Sequence, residues 1–310
     1  MKVLFVASGN KSVGRVSAFV QSQYDSLQKE GLDMMMYPVV GHGWKGYAKN
    51  LLALRRLIKK DKPDVVHAHY SSCGYLVSLA SLGLKTKTVV SILGSFPRKN
   101  RKLKLVRFCV DHVWDATIVK SERTRSQLDR DLPVIPNGVD IDRFTLIEQD
   151  KAREMVGFDK DKKYVIFVSN PSRPEKQFDL AQAAVERLND ETVELVPVFN
   201  KPHQEVVNYM CAADVLIMTS SSEGSPNVIK EAMACNCPIV VTDVGDVRWV
   251  MDGVEGTFVS NSFEAEELSG LLRKAMDFGA RTKGRDRINS LGLTASLVAQ
   301  KILHVYYGII

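Results

Sequence analysis

The chain has 310 residues, of which 45% are hydrophobic and 25% charged, and it carries a net charge of +6. This length is sufficient for two domains with separate hydrophobic cores. No apolar run approaches the roughly 18 to 20 residues of a membrane-spanning helix, which excludes a protein built from such helices. The first apolar run, "MKVLFVAS", ends at Gly9 and predicts a strand rather than a secretion signal.

Five cysteines occur without paired spacing, at Cys73, Cys109, Cys211, Cys235 and Cys237. An odd number without a pattern predicts reduced thiols in a cytoplasmic protein. Because Cys235-Asn-Cys237 lacks the spacing of a metal site and free cysteine is commonly buried, we expect both residues to lie in the core.

Positive charge is concentrated in the first part of the chain. Residues 1–135 carry 23 Lys or Arg against 10 Asp or Glu, a net +13, whereas the remainder is net −7. Dense basic runs lie at 55–62 and 98–107. Such runs are often only solvated faces, and the alternative is attraction to anionic lipid head groups, worth about 1 kcal/mol per basic residue. Nucleic acid is a weaker candidate, because the runs lack interleaved aromatic residues and no nucleic-acid motif is present.

Short apolar runs rich in β-branched residues alternate along the chain with longer segments of helical period. The predicted strands are 2–7, 64–68, 88–93, 116–120, 164–169, 193–199, 214–219 and 238–242. The predicted helices are 17–30, 47–60, 101–113, 121–130, 176–188, 203–212, 226–235, 262–277 and 294–307. Continuous apolar strands between helices are typical of parallel sheets covered on both faces, so we predict two doubly wound α/β domains. The predicted break between them follows 132–144, a segment with Pro-Asn-Gly turn chemistry that is succeeded by a charged stretch.

The segment "SSSEGSPNVIKEAMACNCPIVVTDVG" (220–245) follows a predicted strand and opens a predicted helix. Pro226 suits the first helical position and Ser225 is a favourable N-cap. The free backbone N–H groups at such a helix start form an anion site that suits phosphate. Gly224 would let a ligand approach the backbone closely.

Two carboxylates flank this helix start. Glu223 stands just before the helix, and Glu231 lies about one and a half turns inside it, so both can reach one ligand about 8 to 10 Å long. A phosphate with a carboxylate on either side indicates a nucleotide-sugar site, in which one acid takes ribose hydroxyls and the other takes sugar hydroxyls. The alternative is a capped helix with an exposed glutamate.

Residues 209–245 closely resemble the Glu-x7-Glu signature of glycosyltransferase family 4, the retaining enzymes of the GT-B fold. Three other stretches are similar to segments of that family. "VIPNGVDIDRF" (134–144) resembles its interdomain segment, "RPEK" (173–176) its basic phosphate loop, and "DVVHAHY" (64–70) the first-domain segment whose second histidine faces the donor sugar.

The resemblance implies a GT-B type α/β fold, in which two Rossmann-like doubly wound domains face each other across a cleft. Residues 1–145 would form the acceptor-side domain and 146–293 the nucleotide-sugar domain, with the C-terminal helix 294–310 packing back on the first. The implied reaction moves a sugar from a nucleoside-diphosphate sugar to a glycan or lipid-linked acceptor, in bacterial cell-surface polysaccharide or glycolipid synthesis. It needs no metal or other cofactor.

Site residues follow from the same resemblance. The catalytic set would be Arg173, Lys176, Glu223 and His69, in which the two basic residues neutralise the leaving diphosphate and His69 contacts the sugar. Ribose would be bound by Glu231. The remaining donor contacts would come from Gly14, Gly224, Ser225, Pro226, Asn227 and Val228.

Several departures from the family pattern leave alternatives open. Asn170-Pro171 replaces the usual Gly-Arg and offsets Arg173, the stretch 195–206 is short, and Leu93 replaces a histidine. His69 is alternatively a core residue, Arg173 and Lys176 are alternatively surface charges, and Gly14 is alternatively part of a plain turn. A sugar epimerase, a phosphorylase or a non-catalytic binding module on the same fold are the competing functions. A dehydrogenase is disfavoured, because no Gly-x-Gly-x-x-Gly follows the first strand.

Overall fold

The structure is a computed structural model, and it describes residues 1–9, 15–41, 43–94 and 101–310. The chain divides into two compact units. The first unit comprises residues 1–138 together with 295–310, and the second comprises residues 139–294. The break thus falls at 138/139, whereas the sequence predicts it after residue 145.

The first unit is a five-stranded parallel sheet in the order β2-β1-β3-β4-β5. Its elements in chain order are β1 (Lys2–Ser8), α1 (Ala18–Lys29), β2 (Asp33–Val39), α2 (Gly43–Asp61), β3 (Val65–His69), α3 (Ser71–Ala80), β4 (Lys87–Ile92), α4 (Arg101–His112), β5 (Ala116–Val119) and α5 (Glu122–Leu128). Successive side chains of a strand point to opposite faces. Leu4 and Val6 therefore pack with α2, α3 and α4, whereas Val3 and Phe5 belong to a second core cluster.

The second unit is also a five-stranded parallel sheet, in the order β10-β9-β8-β6-β7. Its elements are α6 (Gln149–Val156), β6 (Lys163–Phe167), α7 (Phe178–Glu186), β7 (Val193–Pro197), α8 (His203–Ala212), β8 (Val215–Met218), α9 (Asn227–Ala234), β9 (Ile239–Thr242), α10 (Val247–Met251), β10 (Thr257–Ser260), α11 (Ala265–Asp277) and α12 (Gly284–Ser290). A short 3-10 turn, Pro174–Lys176, precedes α7. Its core is again split by the sheet into two clusters, one on each face.

The last helix, α13 (Ala295–Tyr307), belongs to the first unit. Val298, Ile302 and Tyr306 are buried against Phe5 of β1 and Val20 of α1. Fully burying a side chain of this size contributes roughly 1.5–3 kcal/mol relative to leaving it exposed. The beginning and the end of the chain therefore share one core.

The predicted α/β pattern is confirmed, and the eight predicted strands correspond to β1 and β3–β9. The sequence missed β2, β10, α3, α6, α10 and α12 among the described elements. β2, "DMMMYPV", has few β-branched residues and contains Pro38, which an edge strand tolerates. β10 has only 4 residues and α10 only 5, too few to show a period.

All five cysteines are buried as free thiols, which confirms the predicted burial of Cys235 and Cys237. Within the described ranges, no helix has the length and apolar character required to cross a bilayer.

Candidate active site

Hydrogen bonds join the loop that follows β6 to the loop that follows β8. The Thr219 hydroxyl donates to the carbonyl oxygens of Lys176 at 2.9 Å and Gln177 at 2.8 Å. The backbone N–H of Ser221 donates to the carbonyl oxygen of Glu175 at 2.9 Å. Because β6 and β8 are neighbours in the sheet, both loops leave the same carboxyl edge, where open α/β sheets bind ligands.

This junction brings together two of the predicted catalytic residues. The Lys176 ammonium forms an ion pair with the Glu223 carboxylate, and both side chains are mostly buried. Lys176 ends the 3-10 turn, and Gln177, at φ +49°, reverses the chain before α7. The predicted helix 176–188 therefore begins later, at Phe178, and this leaves Lys176 in the loop facing Glu223.

Arg173 has a different partner. Its guanidinium Nε donates to Glu175 Oε1 at 2.9 Å, and both side chains are about half exposed. The turn that precedes it is closed by Asn170, whose side-chain oxygen accepts from the N–H of Ser172 at 2.9 Å. Its charge is thus balanced by Glu175, while Glu223 is engaged by Lys176.

The N-terminus of α9 differs from its prediction in two respects, since Pro226, which was predicted at the first helical position, lies one position earlier. The helix begins at Asn227 with Pro226 in the N-cap position, and no side chain caps it. The predicted capping role of Ser225 is wrong, because its hydroxyl donates to Asp246 Oδ2 at 2.6 Å and accepts from Lys230 Nζ at 2.7 Å. The first N–H groups of a helix have no intrahelical acceptor, so this helix start retains the character of an anion site.

Glu231 lies on the same helix and keeps part of its surface accessible. Burial raises the pKa of Glu231 to about 7, while the charges of Lys230 and Arg143 act in the opposite direction. The carboxyl is therefore poised between its neutral and ionised forms near neutral pH, and the ionised form accepts two hydroxyl hydrogen bonds.

A cavity opens at the carboxyl ends of β6 and β8. Lys176 and Val228 line it together with Phe167, Ser169, Met218 and Ser220. The Ser220 hydroxyl is buried and has no hydrogen-bond partner among the described residues. The cavity thus joins the lysine of one loop to the start of α9.

The loop that follows β9 packs closely against the backbone of Glu223 and Gly224. Gly245 has φ +63°, and a Cβ atom placed on it would lie 2.7 Å from the carbonyl oxygen of Gly224. Only glycine combines this left-handed conformation with so close an approach. Gly245 therefore holds the turn of residues 223–226 at its present position.

Two polar residues of this site, the buried Lys230 and the half-buried Asp246, were missed from the sequence. Lys230 is only 1% exposed. A signal was available, because Lys230 shares its buried helix face with Met233 and Ala234, three and four positions further on. A lysine in an apolar stripe indicates a buried charge that needs a partner.

His69 lies in the first unit, as the last residue of β3. Its ring is fully buried, stacks on the His67 ring and lies tilted against the Phe5 ring, with ring centroids 4.6 Å from each. Burial, assisted by the charge of Lys120, lowers its pKa to about 3, so the ring is neutral at physiological pH. Neither ring nitrogen has a hydrogen-bond partner in the described part of the chain. The structure thus places His69 in the core of this unit, as it does His67, which bonds the Tyr306 hydroxyl.

Gly14 lies outside the described residues, as do residues 98–100 of the second basic run.

Two family models match the chain. The model described as "Glycosyltransferase Family 4" matches residues 15–143. The model described as "Glycosyl transferases group 1" matches residues 165–277.

Similar proteins agree with these matches. The chain is 30% identical over 244 residues to the D-inositol 3-phosphate glycosyltransferase of Mycolicibacterium smegmatis, covering 63% of this chain and 56% of that protein. It is 25% identical over 244 residues to the UDP-Gal:alpha-D-GlcNAc-diphosphoundecaprenol alpha-1,3-galactosyltransferase of Escherichia coli, covering 63% of this chain and 62% of that protein. These matches span between about half and two thirds of the relatives' length.

Among solved structures, sucrose-phosphate synthase from Thermosynechococcus elongatus aligns with a TM-score of 0.80 at 16% identity, over 99% of this chain and 98% of that chain. The two parallel sheets thus form a fold of the GT-B type. The chain belongs to glycosyltransferase family 4, the group 1 glycosyl transferases, which confirms the resemblance seen in residues 209–245.

Gly245→Ala should displace the turn of residues 223–226, because the new Cβ atom would collide with the Gly224 carbonyl. We expect the affinity for a nucleoside diphosphate, tested by calorimetry with UDP and GDP, to fall more than tenfold. Gly253→Ala is the matched control, since Gly253 has φ +73° and no atom within 4 Å of the added Cβ. Both variants carry backbone strain on the order of 1–3 kcal/mol. Equal affinities of the two variants would show that Gly245 does not position the turn.

Proposed function

We propose that this chain transfers a sugar from a nucleoside-diphosphate sugar to an acceptor hydroxyl, with retention of configuration at the anomeric carbon. The observation that carries the proposal is the Lys176–Glu223 ion pair beside the start of α9. A cation, a helix N-terminus and two carboxylates then surround one place at the carboxyl edge of the second sheet. These are the groups that bind a phosphate and sugar hydroxyls.

In this proposal, the donor diphosphate takes over Lys176 from Glu223. The leaving diphosphate gains negative charge as its bond to the anomeric carbon breaks, so the ammonium and the helix N-terminus act most strongly in the transition state. Glu223, released from Lys176, accepts hydroxyls of the sugar. Glu231, deeper on α9, accepts the ribose hydroxyls in its ionised form.

Retention is proposed without a covalent intermediate. Retaining hydrolases use two carboxyl groups about 5–5.5 Å apart, one of them as a nucleophile. Here both carboxylates have binding roles in the proposal. The bond between the anomeric carbon and the diphosphate oxygen breaks, the bond to the acceptor oxygen forms on the same face, and the acceptor proton passes to the leaving phosphate. Lys176 and the helix N-terminus supply the positive charge, so we propose a reaction that is independent of metal ions.

The acceptor proposed is a glycan or a lipid-linked sugar of bacterial cell-surface polysaccharide or glycolipid synthesis. The Escherichia coli relative is named for a diphosphoundecaprenol-linked acceptor and for UDP-Gal as the donor. Such acceptors are anionic and carry a lipid. We therefore propose that the protein works in the cytoplasm, at the inner face of the membrane.

The outer face of α2 supports contact with an anionic membrane. Its exposed residues recur every three or four positions, at Lys45, Lys49, Leu52, Arg56, Lys59 and Lys60. Lys49, Arg56, Lys59 and Lys60 form no ion pair with a carboxylate in the described ranges, and Leu52 is 65% exposed. A basic stripe with an apolar side chain fits a surface of acidic head groups.

The basic residues of the two runs do not all face solvent on the same surface. Arg55 does not belong to the stripe, because its guanidinium donates to the carbonyl oxygens of Ala80 and Leu82 and ties α2 to α3. On α4, Phe108 is 56% exposed and follows the exposed residues Lys104 and Leu105. The proposed membrane surface therefore combines charge with exposed apolar side chains.

Transfer should be observable with the purified protein, a panel of nucleotide sugars ranked by thermal shift, and lipid-linked acceptors. We expect release of nucleoside diphosphate that depends on the acceptor, a product with the anomeric configuration of the donor by NMR, and undiminished turnover in EDTA. Loss of turnover in EDTA, restored by Mg²⁺ or Mn²⁺, would contradict the metal-independent reaction.

The competing functions give other products. A sugar altered at a ring carbon without acceptor would identify an epimerase, and dependence on free phosphate a phosphorylase. Donor binding without turnover of any acceptor would favour the non-catalytic module.

Lys176→Ala should lower kcat about 10²-fold and raise the donor KM much less, because its charge acts mainly as the leaving group departs. The matched control is Lys162→Ala, since Lys162 forms an exposed ion pair with Glu194 on the same unit. We expect the control to retain wild-type kinetics. A change confined to KM would mean that Lys176 binds only the ground state.

Replacing Arg56, Lys59 and Lys60 by Gln should reduce sedimentation of the protein with vesicles of anionic lipid. We expect neutral vesicles to bind neither the wild type nor this variant. Binding should also weaken with salt, because the Debye length falls from about 10 Å at 0.1 M to about 3 Å at 1 M. The control replaces three exposed lysines of the second unit, Lys151, Lys274 and Lys283, and changes the net charge equally. Equal binding of wild type and the α2 variant, or equal binding to both lipids, would show that the stripe is only a solvated face of the helix.

A further inference from the structure

A chain of hydrogen-bonded polar side chains lies beneath the turn of residues 223–226. The Lys230 ammonium donates to the Ser225 hydroxyl at 2.7 Å, and that hydroxyl donates to Asp246 Oδ2 at 2.6 Å. Because an ammonium group can only donate, the hydroxyl accepts from Lys230 and its single proton is directed to Asp246. One serine thus joins a cation on α9 to a carboxylate in the loop that follows β9.

From this geometry we propose that Lys230, Ser225 and Asp246 form a charge relay that positions the 223–226 turn and supplies positive charge to the donor site from within the protein. The inference rests on the proposed function, because it assigns positioning residues to the same donor site. None of the three is assigned contact with the reacting atoms.

The burial of Lys230 supports a dedicated role. Removing an ammonium group from water costs several kcal/mol, and an ion pair recovers this cost only with good geometry. Desolvation lowers the pKa of Lys230, while Asp246 and Glu231 act to raise it. An apolar residue would fill this helix position without that cost, as Ile229 and Met233 do beside it. The ammonium is therefore better explained by the charge it provides than by stability.

The turn of residues 223–226 is contacted both by the loop that follows β9 and, through Lys230, by α9. The Asp246 carboxylate accepts a hydrogen bond from the Ser225 hydroxyl, and the backbone of the adjacent Gly245 lies close to the Gly224 carbonyl. Both contacts come from the loop that follows β9. The turn that presents Glu223 is thus clamped between this loop and the buried face of α9.

Lys230 acts on Glu231 as well. Two charges lower the pKa of this carboxyl, Lys230 on its own helix and Arg143 on the segment that precedes α6. Burial acts against both and dominates. Removal of the Lys230 charge therefore raises the pKa of Glu231 further, so that a larger fraction is protonated at neutral pH and cannot accept two ribose hydroxyls.

The test compares Lys230→Met with wild type by calorimetry, using UDP, GDP and ADP between pH 5.5 and 8.5. For wild type we expect affinity for the bound nucleotide to rise as the pH passes about 7, where Glu231 ionises. Lys230→Met should bind at least tenfold more weakly at pH 7 and reach its plateau at higher pH. Glu231→Gln should remove the pH step.

Arg153→Met is the matched control for loss of a buried cation. Arg153 lies in the same unit, is 8% exposed, and pairs with Asp214 through Nη2 at 2.8 Å. Its loss should lower the melting temperature without moving the pH midpoint. A midpoint unchanged in Lys230→Met, or moved equally in Arg153→Met, would overturn the relay.

Two further measurements keep the outcome interpretable. Ser225→Ala breaks the relay but retains both charges, so we expect weaker binding with the wild-type midpoint; unaltered binding would overturn the positioning role. Carbon-13 NMR titration of Glu231, assigned with Glu231→Gln, reads the carboxyl without ligand. If wild type bound none of UDP, GDP and ADP while Lys230→Met still raised the Glu231 midpoint, the proposed function would fail and the electrostatic part of the relay would stand.

Discussion

The candidate active site of this protein depends on the hydrogen bonds that tie the loop after β6 to the loop after β8. Thr219 donates to two successive carbonyls of the first loop, and the N–H of Ser221 donates to a third. The sheet order brings the two loops to one edge, but adjacency alone does not set their register. These bonds do, and as a consequence the ammonium of Lys176 meets the carboxylate of Glu223. The anion site at the start of α9 then lies beside a cation from another loop.

Charges in this region are balanced within the protein before any ligand is considered. Lys176 pairs with Glu223 and Arg173 with Glu175, while Lys230 is linked to Asp246 through the Ser225 hydroxyl. The three pairs differ in depth, from the half-exposed arginine to the fully buried lysine. A half-exposed pair is screened by water and contributes little, whereas a buried pair cannot lose one member without a large penalty. The Lys176–Glu223 pair has intermediate depth, which is consistent with the proposal that a donor diphosphate replaces Glu223 as the partner of Lys176.

The first unit uses its polar groups differently. His67 and His69 lie on one face of β3, inside the core, where burial keeps both rings neutral. His67 bonds Tyr306, so a helix from the end of the chain is fastened to a strand near its beginning by a buried hydrogen bond as well as by apolar contacts. Exposed basic residues of this unit include the stripe on the outer face of α2. The two buried histidines are thus uncharged, whereas the surface of this unit carries cationic side chains.

Much of this was determined by the sequence alone. Apolar runs short enough for strands and separated by helical segments predict two parallel sheets, because period and length depend on local residues. The Glu-Gly-Ser-Pro turn eight positions before Glu231 predicts a family, since several residue types must coincide there. Local signals could not decide where side chains find their partners. Ser225 is a good helix cap by propensity, yet its hydroxyl instead accepts from a buried lysine and donates to an aspartate twenty-one positions away. Arg173 and Lys176 are equivalent charges in the sequence, and only the turn between them directs one to Glu175 and the other to Glu223. Burial itself is a property of the packed fold, so the pKa of Glu231 and the charge beneath it were decided by tertiary structure.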